Sequence, residues 1–168
     1  DGGCVDDDNV AIENREFSVD AGVDDTVCSD SYSLAGNDPG GSGTWTDING
    51  NVTFDDATLN NTNVNGLVSG NNTLVWEVSK DGCTHSDTVV ITNDKYIADA
   101  DKLGAIAPLC TNTTTLKAND PPAKWAGTWS KSGSATFDDV NNNQATVDDL
   151  DPGDNTLTWT ITHDGCSD

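Results

Sequence analysis

The sequence predicts an all-β protein made of tandem antiparallel β-sandwich repeats, and three observations carry that prediction. One stretch occurs twice: Asn72–Cys83 reads NTLVWEVSKDGC and, 83 positions later, Asn155–Cys166 reads NTLTWTITHDGC. Within both copies apolar residues alternate with polar ones, Leu74, Trp76 and Val78 being answered by Leu157, Trp159 and Ile161. Period two is the signature of a half-buried strand. The rest of the chain is short β-branched and aromatic runs broken by turn-forming pairs, with no helical periodicity, as in antiparallel sandwiches.

Taken in order, Asp1–Glu16 reads as the tail of a preceding repeat. Gly3-Cys4 followed by Asn9-Val10-Ala11-Ile12 matches Gly82-Cys83 followed by Thr88-Val89-Val90-Ile91, so Asn9–Ile12 is expected as a last strand. The first complete repeat, residues 17–94, predicts strands at Phe17–Val19 continuing to Thr26-Val27, then Tyr32–Leu34, Thr44–Thr46, Val52–Phe54, Asn63-Val64, Thr73–Ser79 and Thr88–Thr92. Between them lie Asn37-Asp38-Pro39-Gly40, Asn49-Gly50, Asn65-Gly66 and Asp81-Gly82, whose residues tolerate left-handed backbone or preset a turn. The second repeat, residues 95–168, restates these landmarks and is expected to lack its last strand. Cys28 returns as Cys110, Asn37-Asp38-Pro39 as Asn119-Asp120-Pro121, Gly43-Thr44-Trp45 as Gly127-Thr128-Trp129, and Thr53–Asp56 as Thr136–Asp139. A connection near Asn93–Tyr96 without Gly or Pro predicts a stiff succession of repeats.

Composition narrows the function. Twenty-nine acidic residues against seven basic ones give a net charge of −22, which excludes nucleic acid and anionic membranes as partners and favours cations, neutral glycans or basic surfaces. Five cysteines, no methionine and no Cys-x-x-Cys pair point to an oxidising, extracellular compartment and to disulfides. No apolar run approaches the ~18 residues of a membrane span and no signal peptide is present, so the expectation is an interior piece of a secreted chain.

Asp20-Ala21-Gly22 through Thr26-Val27-Cys28, then Gly43-Thr44-Trp45, then Asn72-Thr73-Leu74 through Gly82-Cys83, resemble the PKD-like and immunoglobulin-like repeats of very large cell-surface proteins of Bacteroidota, including the SprB-type gliding-motility adhesins. The resemblance covers both repeats. It implies structural stalk repeats of a secreted adhesin on a Gram-negative cell surface, exported by the type IX pathway, without catalysis, and with neighbouring repeats as partners. Two departures stand out. Gly22-Val23-Asp24 lacks the proline usual after that glycine, and the second repeat has Asp101-Lys102-Leu103-Gly104 there. The alternative reading is a carbohydrate-binding or spacer module of a polysaccharide-degrading enzyme.

Each repeat carries one cysteine after its first strand (Cys28, Cys110) and one after the Asp-Gly turn (Cys83, Cys166), while Cys4 is of the second kind. Two pairings are open. Sequence order suggests Cys28 with Cys83 and Cys110 with Cys166. With an immunoglobulin-like topology the first strand runs parallel to the last, which separates those partners by roughly 20 to 25 Å, against about 4.4 to 6.8 Å between the Cα atoms of a disulfide. That topology brings Cys28 near Cys166 instead, across the junction of repeats, and leaves Cys4, Cys83 and Cys110 to pair with neighbours or stay unpaired.

Trp45, Trp76, Trp129 and Trp159 recur on strands and are expected in the cores. Trp125, in the insertion Pro121–Trp125, is expected to cover a sandwich end, with sugar stacking as its functional reading. Asp20, Asp24 and Asp25, and Asn93, Asp94, Asp99 and Asp101, supply hard oxygen atoms suited to calcium near the junctions; their bland reading is solvated surface charge. Asp149–Asp154 starts like a calcium loop and lacks its later ligands. Thr26 and Thr88 lie in Asp-Thr-aliphatic segments like those O-glycosylated in Bacteroidota, and Asn51, Asn60, Asn71 and Asn112 head Asn-x-Ser/Thr sequons. No nucleophile pairs with His85 or His163, and the adjacent acids Asp55-Asp56 and Asp138-Asp139 point to opposite faces, so no enzyme is expected.

Overall fold

The computed structural model describes residues 2–4, 6–101 and 108–168. Its strands are β1 (Asp25–Val27), β2 (Ser31–Ser33), β3 (Ser42–Asp47), β4 (Thr53–Phe54), β5 (Asn63–Asn65), β6 (Gly70–Lys80), β7 (Cys83–Asn93), β8 (Thr114–Thr115), β9 (Ala126–Lys131), β10 (Thr136–Phe137), β11 (Thr146–Asp148), β12 (Leu157–His163) and β13 (Cys166–Ser167). No helix occurs among the described residues. Two compact units form: Asp1–Asp25 with Ser31–Ile91, and Thr26–Asp30 with Thr92–Asp168.

One sheet has the order β1-β7-β6-β3, with β6, β3 and most of β7 in the first unit, and the first unit's other sheet has the order β2-β5-β4. β6 shows why the alternation builds a core: Asn72, Leu74, Trp76 and Val78 are buried, and the intervening side chains are not. Leu34, Trp45, Val64, Leu67, Val89 and Ile91 are buried as well, the last two on β7. Trp45 stands opposite Trp76 in the β3–β6 ladder, and their rings lie 5.1 Å apart. A close aromatic pair of this kind adds attraction beyond the apolar area it buries.

The second unit repeats the plan with sheets β13-β12-β9 and β10-β11-β8. Trp129 stands opposite Trp159, again with rings 5.1 Å apart. Its core is Leu116, Ala118, Trp129, Ala135, Ala145, Val147, Trp159 and Ile161. The fold is therefore the all-β tandem sandwich that the alternation predicts.

The Gly-Thr-Trp motif has a steric cause. A Cβ at Gly43 would fall inside the Trp76 ring, and one at Gly127 inside the Trp159 ring. The glycine two residues before the first tryptophan is thus the floor on which the second indole lies. The units differ at the second indole: Trp76 Nε1 donates to Asn37 O at 2.9 Å, whereas Trp159 Nε1 is buried without a partner.

Two expected strands are not formed. Asn9–Ile12 joins no ladder, and Val10 and Ile12 are exposed at 84% and 87%, because no neighbouring strand takes up their backbone groups or covers their side chains. Phe17–Val19 is irregular as well, since a side chain does the work of a ladder there. Asn37 Nδ2 donates to Ser18 O, while Asn37 Oδ1 accepts from Asp20 N. Asn119 makes the same bonds to Ile97 O and Asp99 N in the second unit. The segment Lys102-Leu103-Gly104 lies outside the described residues.

Candidate functional site

Of the five cysteines that sequence analysis singled out, Cys28 and Cys166 meet in a disulfide. Cys28 follows β1 directly, and Cys166 opens β13 after the Asp164-Gly165 turn. Asp164 (φ 43°) and Gly165 (φ 87°) both have left-handed backbone, the geometry of a two-residue hairpin turn that matches strand twist. The hairpin sets His163 opposite Cys166 in the ladder and turns the cysteine inward, to 6% exposure. Cys28 and Cys166 are bonded, with Cα atoms 5.6 Å apart and a sequence separation of 138. Both belong to the second unit, which includes Thr26–Asp30.

The sequence-order pairing is overturned. Successive hydrogen bonds run from Ala21 N to Asp87 Oδ2, from Val90 N to Asp24 Oδ1 and from Asp94 N to Val27 O. Partners advance together along both segments, so residues 21–27 lie parallel to β7. Cys28 therefore follows the end of that alignment near Asp94, while Cys83 opens β7 eleven residues earlier. At about 3.3 Å per residue the two cannot be bridged. Likewise Cys110 lines the same cavity as Leu157 at the start of β12, whereas Cys166 lies beyond the end of β12. Cys4, Cys83 and Cys110 are free thiols, Cys4 and Cys110 exposed and Cys83 half-buried.

A polar and aromatic cluster accompanies the disulfide within the second unit. Lys95 Nζ donates to Asp30 Oδ2 at 2.7 Å, Asn93 Nδ2 reaches Asp30 Oδ1 at 3.4 Å, and Asn93 Oδ1 accepts from Lys95 N at 3.0 Å. The Lys95 hydrogen bond holds the Asp30 carboxyl below its ordinary range. His163 Nε2 lies 3.4 Å from Asp164 Oδ2 and 3.7 Å from Asp94 Oδ2. The Trp125 ring, half-buried against the core, stands 5.1 Å from His163 and 5.8 Å from Tyr96. The insertion Pro121–Trp125 thus supplies an aromatic cover to the sandwich. Sequence reading missed the Asp30–Lys95 and His163–Asp94 contacts. Its only available signal was the cysteines, since residues flanking a disulfide must come together.

The proposed calcium ligands are divided between the two units. Asp20 belongs to the first unit, and Asn93, Asp94, Asp99 and Asp101 to the second. Asp20 Oδ1 accepts from Gly22 N and Asp99 Oδ1 from Asp101 N, each carboxylate capping its own turn. Asp24 Oδ1 accepts from Val90 N. Among the described residues no group of three or more His, Cys, Asp or Glu side chains is placed to hold a metal ion. Thr26 and Thr88 are exposed, on β1 and β7. His85 packs edge-on against Phe17 at 4.8 Å. Asp55 accepts from Asn63 and Asn65 side chains, and Asp56 from Thr58, so these acids stabilise turns.

Fold and cluster together define a disulfide-tied tandem β-sandwich of immunoglobulin-like architecture, and its covalent tie is that of an oxidising, extracellular compartment. No protein-family model and no curated protein matches the sequence. Among solved structures, Drosophila OTK extracellular domains 3–5 match with a TM-score of 0.36 and 12% identity, over 86% of this chain. This chain spans 55% of that one. No helix among the described residues is long and apolar enough to cross a membrane.

Proposed function

We propose that this chain is a tension-bearing spacer: structural stalk repeats of a secreted bacterial cell-surface adhesin of the SprB type, which hold a distal adhesive part away from the cell and transmit force during attachment or gliding. The observation that carries this reading is the loop closed by Cys28 and Cys166, whose sequence separation is 138. A pull on the two ends passes through the backbone to Cys28, across the sulfur–sulfur bond, and out from Cys166. Residues 29–165 lie off that path. An acidic, well-solvated surface suits exposure to the medium, and the polar clusters that form stabilise turns and strand ends.

Single-molecule pulling from handles at the two termini tests the reading. With the disulfide intact, residues 29–165 should add no length on unfolding. After reduction, or in Cys28→Ser, unfolding should release up to roughly 490 Å, from about 3.6 Å per extended residue. Release of that length from the oxidised chain would remove the tension-bearing role. Glycan-array binding abolished by Trp125→Ala would replace it with the carbohydrate-binding alternative.

A further inference from the structure

The repeat equivalences turn one observed bond into a rule for the free thiols. Cys28 and Cys110 are counterparts, each in a bend that precedes the first strand of the small sheet, β2 or β8. Cys83 and Cys166 are counterparts too, each opening a strand after an Asp-Gly hairpin turn. The turns match in backbone: Asp81 has φ 50° and Gly82 φ 84°, against 43° and 87° for Asp164 and Gly165. The bond that forms therefore joins the bend cysteine of one repeat to the hairpin cysteine of the repeat that follows it in sequence. Cys110 is a bend cysteine without such a partner, and Cys83 a hairpin cysteine without one.

Cys110 also has a built setting. It lines an open cavity of about 890 Å³ with Leu109, Leu150 and Leu157 on one hand and Asp151, Asp154 and Asn155 on the other, a recess of mixed polar and apolar lining next to an exposed thiol. We infer that this recess receives the Asp-Gly-Cys hairpin of a following repeat of the same kind, and that Cys110 bonds to that hairpin's cysteine as Cys28 bonds to Cys166. By the same rule Cys83 is the hairpin half for a preceding repeat. Successive bonds then overlap, since the observed one spans 138 positions while cysteines of one kind recur after 79 to 83. Backbone between two bonds of the series lies inside the loop of a third, and tension has covalent paths in parallel.

The chemistry is thiol–disulfide exchange. An oxidised disulfide such as that of glutathione first forms a mixed disulfide on Cys83. The Cys110 thiolate then attacks the Cys83 sulfur and expels glutathione thiolate. Overall two cysteine thiols become one disulfide, and the oxidant takes up the two electrons and two protons as two thiols.

The inference rests on the spacer reading only for the existence of further repeats, and a second copy of this chain can supply them. In a Cys4→Ser background, Cys83→Ser leaves Cys110 as the single free thiol, and Cys110→Ser leaves Cys83. Neither substitution touches the Cys28–Cys166 bond, which peptide mapping verifies in each variant. The two variants are mixed with oxidised glutathione, and non-reducing peptide mass mapping counts the links. Selective docking predicts that Cys110–Cys83 links exceed either homodimeric link by about tenfold or more, against about twofold for random pairing of equally reactive thiols. Urea should return the ratio to the random value. A random ratio in the folded mixture, or no Cys110–Cys83 link, would overturn the inference. Either result would leave the pulling experiment on the single-chain bond unaffected.

Discussion

At the scale of single residues, the most constrained positions are the two smallest on the core face. Gly43 and Gly127 lie under the Trp76 and Trp159 indoles, and neither indole can retreat, being packed against its partner tryptophan. Gly127→Ala is therefore expected to cost about 3 kcal/mol or more, at the upper end of overpacking, as read from denaturant midpoints followed by tryptophan fluorescence. A loss below about 1 kcal/mol would mean that the indole can shift. The tryptophans were legible as core from their alternation. The glycines were not, because a missing side chain leaves no hydropathy signal and the need for it arises only across the ladder.

Asp47 shows how an acid can be structural in so acidic a chain. Burial pushes its carboxyl up, but the N–H groups of Asn49, Asn51, Val52 and Gly50 outweigh that and hold it below the ordinary value. A depressed folded-state pKa contributes stability that is present above the unfolded value, near 3.9, and is lost as pH falls through the folded one. Asp47→Asn should therefore be less stable than the parent at pH 7, with the gap closing as pH falls below about 4. Chemical denaturation across that range measures it. A gap that stays constant would show that the turn depends on the shape of the side chain and not on its charge.

At the scale of elements, the Asp-Gly hairpins were read correctly because two successive left-handed residues are demanding, and Asp-Gly meets the demand locally. Gly165 has φ 87° and open space where a Cβ would stand, so its constraint is conformational and not steric. Gly165→Ala should accordingly cost about 1 to 2 kcal/mol, the order of one residue forced into the left-handed region, and less than Gly127→Ala. Equal losses, compared by thermal melts of the two variants, would contradict this division of causes. Phe17–Val19 and Asn9–Ile12 were misread for a complementary reason. Strand propensity describes a residue's fit to a sheet and says nothing of whether a partner is adjacent. The Asn37 and Asn119 clamps that take the place of a ladder involve residues about twenty positions away, beyond any local pattern.

At the scale of the whole chain, the pairing of Cys28 with Cys166 was one of two readings that the sequence left open, because it depends on whether the first strand runs parallel or antiparallel to the last. Charge was legible from composition alone, and its consequence can be argued through. Pairs between basic side chains and carboxylates among the described residues include Arg15–Glu13 and Lys95–Asp30, besides the contacts of His163. Added salt weakens such exposed pairs, each worth about 0 to 1 kcal/mol. It also screens the mutual repulsion of an excess of 22 negative charges, which favours the expanded chain. Few attractive pairs stand against many repulsive ones, so screening should win and the thermal midpoint should rise from low salt to about 1 M sodium chloride, where the Debye length has shrunk from ~30 Å to ~3 Å. Calorimetry of the oxidised chain along that series is the measurement. A midpoint that falls with salt would mean that the specific contacts of Asp30 and its neighbours outweigh the net charge.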